Sequence, residues 1–362
     1  FSSASGGISV LVSGMTIGRF GTGADPIFNA LNGTTVFSLG SQDFTNLTGL
    51  VVRDIEVNGG GGTVVAVNGN GTFNQITLFG LNIHDIDKAL FFSPSILDYW
   101  NNNGYPGHTM WDQLSFIDCR VNNIHGGTAN SGDNVGYVGA NRFSMMGCDL
   151  DANHGGEHGF RSPHMRNAVV SNNTIQNPAA SIRLAFKLHA GTFGGSGVDG
   201  GSYTEKVVMS ENIFSTGTVQ SDWMIVIGPQ NDTSDERHRD IIFERNYIIA
   251  GSVIQQCLLV NCGSIDITVR NNVVNMALAG SGCTAINVGV ESTHATPIGT
   301  GRYVYNNTVY ATGAYSRTAI TTSSTMPYTI VKNNLAYTPS ATSNTAVSGT
   351  AGTGSVYSNN SS

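Results

Sequence analysis

The amino-acid sequence predicts an all-β solenoid, a right-handed parallel β-helix of about ten turns with loop insertions, forming one domain over residues 1–362. Three observations predict it. A short apolar word recurs along the chain, an Asn recurs at one place in that word, and the composition is poor in charge. Only 11% of the residues are charged, 46 are glycine and 40% are hydrophobic. Such a chain can bury a core, but it lacks the Glu, Lys and Arg that coat exposed helices. A surface of Asn, Ser, Thr and Gly suits sheets and turns instead.

The word is two or three β-formers, one or two polar residues, then Asn-x-Ile/Val. It reads VVRDIEV at 51–57, ITLFGLNI at 76–83, LSFIDCRV at 114–121, FSMMGCDL at 143–150 and VVSNNTI at 169–175. It continues as VVMSENIF at 207–214, IIFERNYI at 241–248, ITVRNNVV at 267–274, YVYNNTV at 303–309, TIVKNNLA at 329–336 and SVYSNN at 355–360. The marker position falls at Ile55, Leu81, Cys119, Cys148, Asn173, Asn212, Asn246, Asn272, Asn307, Asn334 and Asn360, in steps of 25 to 39 residues. No apolar stripe of period 3.6 separates the copies, so helical repeats are excluded. Strands stacked turn upon turn, about 4.8 Å apart, account for the spacing, with insertions looping outward. Residues 1–50 are expected to form capping turns and 51–360 the regular ones. Asn suits a stacked corner because it tolerates turn geometry and can hydrogen-bond the Asn above and below. Cys119 and Cys148 hold the same corner on adjacent turns, within disulfide reach, and are expected to be buried thiols. A second word completes each turn: AFKLH at 185–189, MIVIG at 224–228, LLVNC at 258–262, TAINV at 284–288, TAITT at 318–322 and TAVSG at 345–349.

Several function classes fall away. A net charge of −7 with only 17 Lys plus Arg argues against a nucleic-acid partner. No run approaches the ~18 apolar residues of a membrane span. Five cysteines at irregular spacing give neither a disulfide framework nor a Cys/His metal pattern. The chain opens at Phe1 without a Met, from which removal of a leader is expected. Its character fits a secreted protein, extracellular or periplasmic, although no signal is visible.

The repeat character resembles the pectin-lyase-like superfamily across most of the chain. That resemblance implies a carbohydrate-active protein: a polysaccharide lyase, glycoside hydrolase, epimerase or tailspike. The polygalacturonase set of paired Asp, Gly-His-Gly and Arg-x-Lys is missing. NIHDID at 82–87 departs from the pectate lyase word, and SPHMR at 162–166 is not the epimerase motif. Over two turns the residue types look distantly like the chondroitinase B and alginate lyase group, in which a Lys and an Arg on neighbouring turns flank the scissile uronate.

Those two turns hold His154, His158, His164, His189, Glu157, Arg161, Arg166, Arg183 and Lys187, an unusual density in this chain. Aligning GEHGFRSP at 156–163 with IRLAFKLH at 182–189 stacks Phe160 on Phe186, pointing inward. Strand alternation then turns Glu157, Gly159 and Arg161 outward on one turn, and Arg183, Ala185, Lys187 and His189 on the next. Arg161 sits beside Lys187, Glu157 beside Arg183, and Gly159 with Ala185 form a shallow floor. One reading is a surface ion pair, Glu157–Arg183, worth ~0–1 kcal/mol with the other cations solvated. The other is a site for a carboxylate sugar, since adjacent turns carry Val226, Asn261 and Asn287 at the Lys187 position. Elimination from a 4-linked uronate needs a cation at the C6 carboxylate, a base at C5 and a donor for the leaving oxygen. Lys187 is the first choice of base and His189 the second, with Arg161 and Arg183 gripping the carboxylate. Loss of turnover in Lys187→Ala is the expected signature.

A second line runs beside this patch. Aligning CRVNNIHGG at 119–127 with CDLDANHGG at 148–156 stacks His125 on His154 and sets Asn122 level with Asp151, with Asp87 near the same column. The imidazole ladder reads equally as a groove wall, a metal site or a hydrogen-bonded turn. Asp149, Asp151 and Glu157 are candidate Ca²⁺ ligands that would neutralise the substrate carboxylate. Trp100, Tyr105 and Trp111 lie in one insertion at 98–111, suited either to sugar stacking or to a small core of its own. The charged run at 232–240 reads as a solvated loop, and the Gly-rich 191–202 lacks the Lys-Ser/Thr of a phosphate loop. The leading expectation is a lyase acting on an acidic, uronate-containing polysaccharide. Its rivals are a glycoside hydrolase drawing two carboxylates from Asp149, Asp151 and Glu157, and a non-catalytic glycan-binding solenoid.

Overall fold

The computed structural model describes residues 2–3, 7–31, 36–39, 47–60, 63–67, 73–86, 88–92, 111–124, 134–151, 158–177, 184–188, 203–216, 220–228, 237–261, 263–280, 282–289, 301–311, 317–337 and 344–361. Among these there are strands and no helices, and every strand pairing is parallel. A turn runs through three sheets, here named leading, middle and trailing. One turn is Tyr203–Ser210, Ile213–Thr216 and Gln220–Ile227; the next is Arg237–Glu244, Tyr247–Ile249 and Val253–Val260. Each strand pairs with its equivalent one turn away. The chain is a right-handed parallel β-helix.

The middle sheet has 12 strands. The leading and trailing sheets share a 22-stranded network, because Asn134–Met146 and His158–Ser171 pass from one to the other without a break. The first fifty residues already contribute strands to these sheets, Ile27–Leu31 pairing with Glu56–Gly60. No helix of the described residues is long and apolar enough to cross a membrane.

Alternation explains the core. Inward positions of all three sheets carry Val, Ile, Leu, Phe and Met in one continuous cluster. Aromatic rings stack through it from Phe143 to Phe160, Phe186, Phe214 and Phe243, with centroids 5.1 to 6.2 Å apart. Burying such rings at successive turns supplies much of the drive for stacking.

The predicted Asn corner lies between the leading and middle sheets. Asn173, Asn212, Asn246, Asn272, Asn307, Asn334 and Asn360 form a ladder, each side-chain amide donating to the Oδ1 of the next at 2.9 to 3.1 Å. Each Nδ2 also donates to a backbone carbonyl, as Asn246 does to Met209. Earlier turns fill the same place with Ile55, Leu81, Cys119 and Cys148, all buried. The left-handed backbone belongs to the residue before the marker: Asp54, Asp118, Asn172, Glu211, Arg245, Asn271, Asn306, Asn333 and Asn359 have φ between 51° and 59°. The marker Asn thus recurs as a buried hydrogen-bonder, while its neighbour makes the turn. Cys119 and Cys148 are free and buried. Burial pushes the Cys119 thiol far above its ordinary value.

Candidate functional site

On the trailing sheet, Arg161 pairs in register with Lys187 and Phe160 with Phe186, as the alignment of the two turns predicts. The two phenyl rings stack with centroids 5.1 Å apart. Lys187, however, is not on an open face. It is 2% exposed, and Ala185, Phe186 and Leu188 around it are buried too. The column continues from Lys187 to Val226, Leu259 and Asn287, so Leu259 stands where Asn261 was expected. Val226 and Leu259 join Trp223 in a small apolar cluster separate from the main core. The outward face of this sheet is therefore covered at the Lys187, Val226 and Leu259 turns. The shallow floor is absent as well: a Cβ on Gly159 would lie 2.7 Å from the Ala185 carbonyl oxygen, so glycine here answers close packing. Arg161 is half-buried. Glu157, Arg183 and His189 lie outside the described residues.

A buried polar corner adjoins this pair where the trailing sheet bends into the leading one. His164 and His238 are both buried, and His238 Nε2 lies 3.1 Å from the Leu188 carbonyl oxygen. Glu205 binds Arg166 at 3.0 Å and also Arg239. Burial, with Arg166 and His238 adding repulsion, holds His164 well below the ordinary imidazole value, so it stays neutral. Its shielding fits a structural role.

The outer face of the middle sheet is open among the described residues. Arg120 pairs with Asp149, and Asp149 with Thr174. Two residues further along the same register, Asn122 is level with Asp151, and Asp151 pairs with Gln176. Between the two acids Leu150 turns inward, so Asp149 and Asp151 project from one strand on the same half-exposed face. Side chains two apart on a strand are separated by about 7 Å. The Oδ1 of Asp149 is shielded and meets no donor among the described residues.

Two turns earlier stands a group the sequence reading passed over. His84 Nδ1 lies 2.7 Å from Asp85 Oδ2, and Nε2 lies 3.4 Å from Glu56 Oε1 on the neighbouring turn. Asn123 donates to the other oxygen of Asp85, whose backbone is left-handed at φ 57°. Burial pulls the imidazole down, but the hydrogen bonds to Asp85 and Glu56 outweigh it and raise His84 above its ordinary value. The NIHDID string was visible; the 28-residue step to Glu56 was the missing link. Among the described residues no three His, Cys, Asp or Glu side chains are grouped to hold a metal ion. His125, His154, Asp87, Trp100 and Tyr105 lie outside the described residues, and Trp111 opens the strand Trp111–Ile117 with its backbone alone described.

No family model matches the chain, and no curated protein matches it in sequence. Two solved structures are similar in fold. One is an exopolygalacturonase of family 28 from Yersinia enterocolitica, at 13% identity and TM-score 0.40, covering 92% of this chain and 72% of the other. The second is a GH136 lacto-N-biosidase from Eubacterium ramulus, at 13% identity and TM-score 0.43, covering 97% of this chain and 61% of the other. Both likenesses are to pectin-lyase-like β-helix proteins. Neither is to the chondroitinase B and alginate lyase branch that the basic pair resembles.

Proposed function

We propose that this chain is a glycan-processing enzyme, and that it is a glycoside hydrolase rather than a lyase. The observation that carries the reading is the contrast between its two groups of ionisable residues. Asp149 and Asp151 share one half-exposed face, whereas Lys187 is 2% exposed and walled by Val226. A sugar ring can reach the first group; the second leaves no room for C5 of a uronate beside the amine. Carboxyl groups about 7 Å apart fall in the ~6.5–9.5 Å range that admits a water and gives inversion at the anomeric carbon.

In this reading Asp149 is the proton donor to the glycosidic oxygen. Asp151 takes a proton from the attacking water. The exposed Arg120 beside Asp149 is the group to receive an acidic substituent, which keeps acidic polysaccharides as the first substrates to try. The route needs no metal; calcium on Asp149 and Asp151 would occupy the same oxygens and is expected to inhibit.

The lyase reading keeps one observation in its favour, the Arg161–Lys187 register. One experiment separates the two. The protein is incubated with polyuronates, glycosaminoglycans and neutral glycans, and both new reducing ends and the ultraviolet absorbance of unsaturated uronate are followed. Reducing ends without absorbance are expected. Asp149→Asn and Asp151→Asn should each lower that rate by roughly 100-fold or more with circular dichroism unchanged. Lys187→Met, which preserves volume, should leave it in place. Rising absorbance that Lys187→Met abolishes would overturn the hydrolase.

A further inference from the structure

The outer face of the middle sheet changes character along the axis. Over the turns at Glu56, Asn82, Arg120, Asp149 and Thr174 its two outward columns are polar or charged. Beyond Thr174 and Gln176 they become Ile213, Tyr247, Val273, Thr308 and Leu335 in one column. The other column holds Ser215, Ile249, Asn275, Tyr310 and Tyr337. None of these ten is charged. Exposure reaches 54% at Tyr337, 46% at Leu335 and 41% at Ile213. Such an uncharged, largely apolar strip on a chain otherwise coated with Asn, Ser and Thr marks a candidate binding face.

We propose that this strip is a binding track for a single linear glycan chain running along the helix axis. The inference rests on the reading that the protein acts on glycans. Tyr310 and Tyr337 stack with centroids 5.8 Å apart and planes 16° from parallel, which holds the two rings against each other at successive turns. Asn275 Nδ2 donates to the Tyr247 hydroxyl at 3.0 Å, orienting that ring as well. Rigid aromatic surface interleaved with hydroxyls and amides matches the alternating apolar faces and hydroxyl rims of pyranose rings. The turn spacing of about 4.8 Å is close to the length of one sugar unit, so equivalent contacts recur along an extended chain.

Size decides between a glycan and a second protein. Five turns by two columns give a strip about 20 Å long and roughly 300 Å² in area, well short of the ~800 Å² per partner of a stable protein interface. A strip that narrow fits one polymer chain. It also continues the face that carries Asp149 and Asp151, with only Thr174 and Gln176 between. A polymer held on it can extend to the acids.

The test is affinity electrophoresis of the full chain in native gels containing pectin, alginate, xylan or chondroitin sulfate. The comparison is with Tyr310→Thr/Tyr337→Thr and Tyr247→Thr, threonine being the residue already present at Thr308. At least one polymer should retard the wild type, with an affinity roughly tenfold weaker in the double variant. Equal retardation of wild type and variants, or none by any polymer, would overturn the track. So would a concentration-dependent dimer in sedimentation that the tyrosine variants abolish, which would assign the face to a second copy. Tyrosine-dependent retardation without release of reducing ends keeps the track and removes the hydrolase. Released ends with tyrosine-independent retardation do the reverse.

Discussion

Asn246 shows what a single residue holds in this fold. Its Oδ1 accepts from both the backbone N–H and the side chain of Asn212, and its Nδ2 donates to the Met209 carbonyl and to Asn272. Asn246→Ala strands buried donors and acceptors on both sides. A loss of about 3 kcal/mol in urea unfolding is expected, and a smaller one for Asn360→Ala at the partly buried end of the ladder. Two histidines give opposite pH responses. His164 is depressed, so below its ordinary value of 6.5 the unfolded chain takes up a proton that the folded chain refuses. Its stabilising contribution is whole above pH 6.5 and declines as pH falls toward the folded value. His84 is raised, so its contribution is whole below 6.5 and is lost as pH climbs through the folded value. Unfolding measured across pH should show His164→Gln flattening the acid limb and His84→Gln flattening the slope above 6.5.

Strands divide into those whose register could be read from sequence and those whose surroundings could not. The leading-sheet words fix their own alignment, because a tight corner and, from Asn173 onward, a marker Asn punctuate them. The pairing of Phe160 with Phe186 was legible for a similar reason: two aromatics interrupt otherwise different strands. Register failed at Cys257–Val260, where four buried apolar residues follow one another. With no period-2 contrast, LLVNC and CLLV fit equally well, and the Lys187 column drifted from Leu259 to Asn261. The burial of Lys187 was invisible because strand alternation assigns a side chain to a face and does not say whether that face is covered. Asp149 and Asp151 were legible as a pair, since alternation alone puts both on one face. Glu56 and His84 were not, for their meeting depends on knowing which turns are adjacent. At this scale Phe186→Ala, which opens the aromatic stack, is expected to cost about 3–5 kcal/mol in chemical denaturation.

For the whole molecule, each turn touches only its neighbours, so stability is set locally and summed along the axis. Turns joined by the Asn ladder carry a second line of bonds that the turns at Ile55, Leu81 and Cys119 lack. Amide hydrogen exchange should therefore be slower at Met209, Phe243 and Val269 than at Val52, Leu78 and Phe116, as read by mass spectrometry of peptides from the two halves. Uniform protection would place the stability in the apolar stack alone. The division coincides with the change in the middle sheet from charged to aromatic, so the half bearing the acids is also the half less tightly clamped.

The ladder has one more property. Parallel strands present their N–H and C=O groups alternately up and down the axis, and their dipoles largely cancel. The seven Asn side chains do not alternate. Each oxygen accepts from the earlier turn, and the six from Asn173 to Asn334 each donate one N–H to the oxygen on the later turn. They form a row of aligned amides, polarised bond by bond, with its oxygen end received by the backbone N–H of Cys148. The solenoid is therefore electrically directional even where its surface carries no charge.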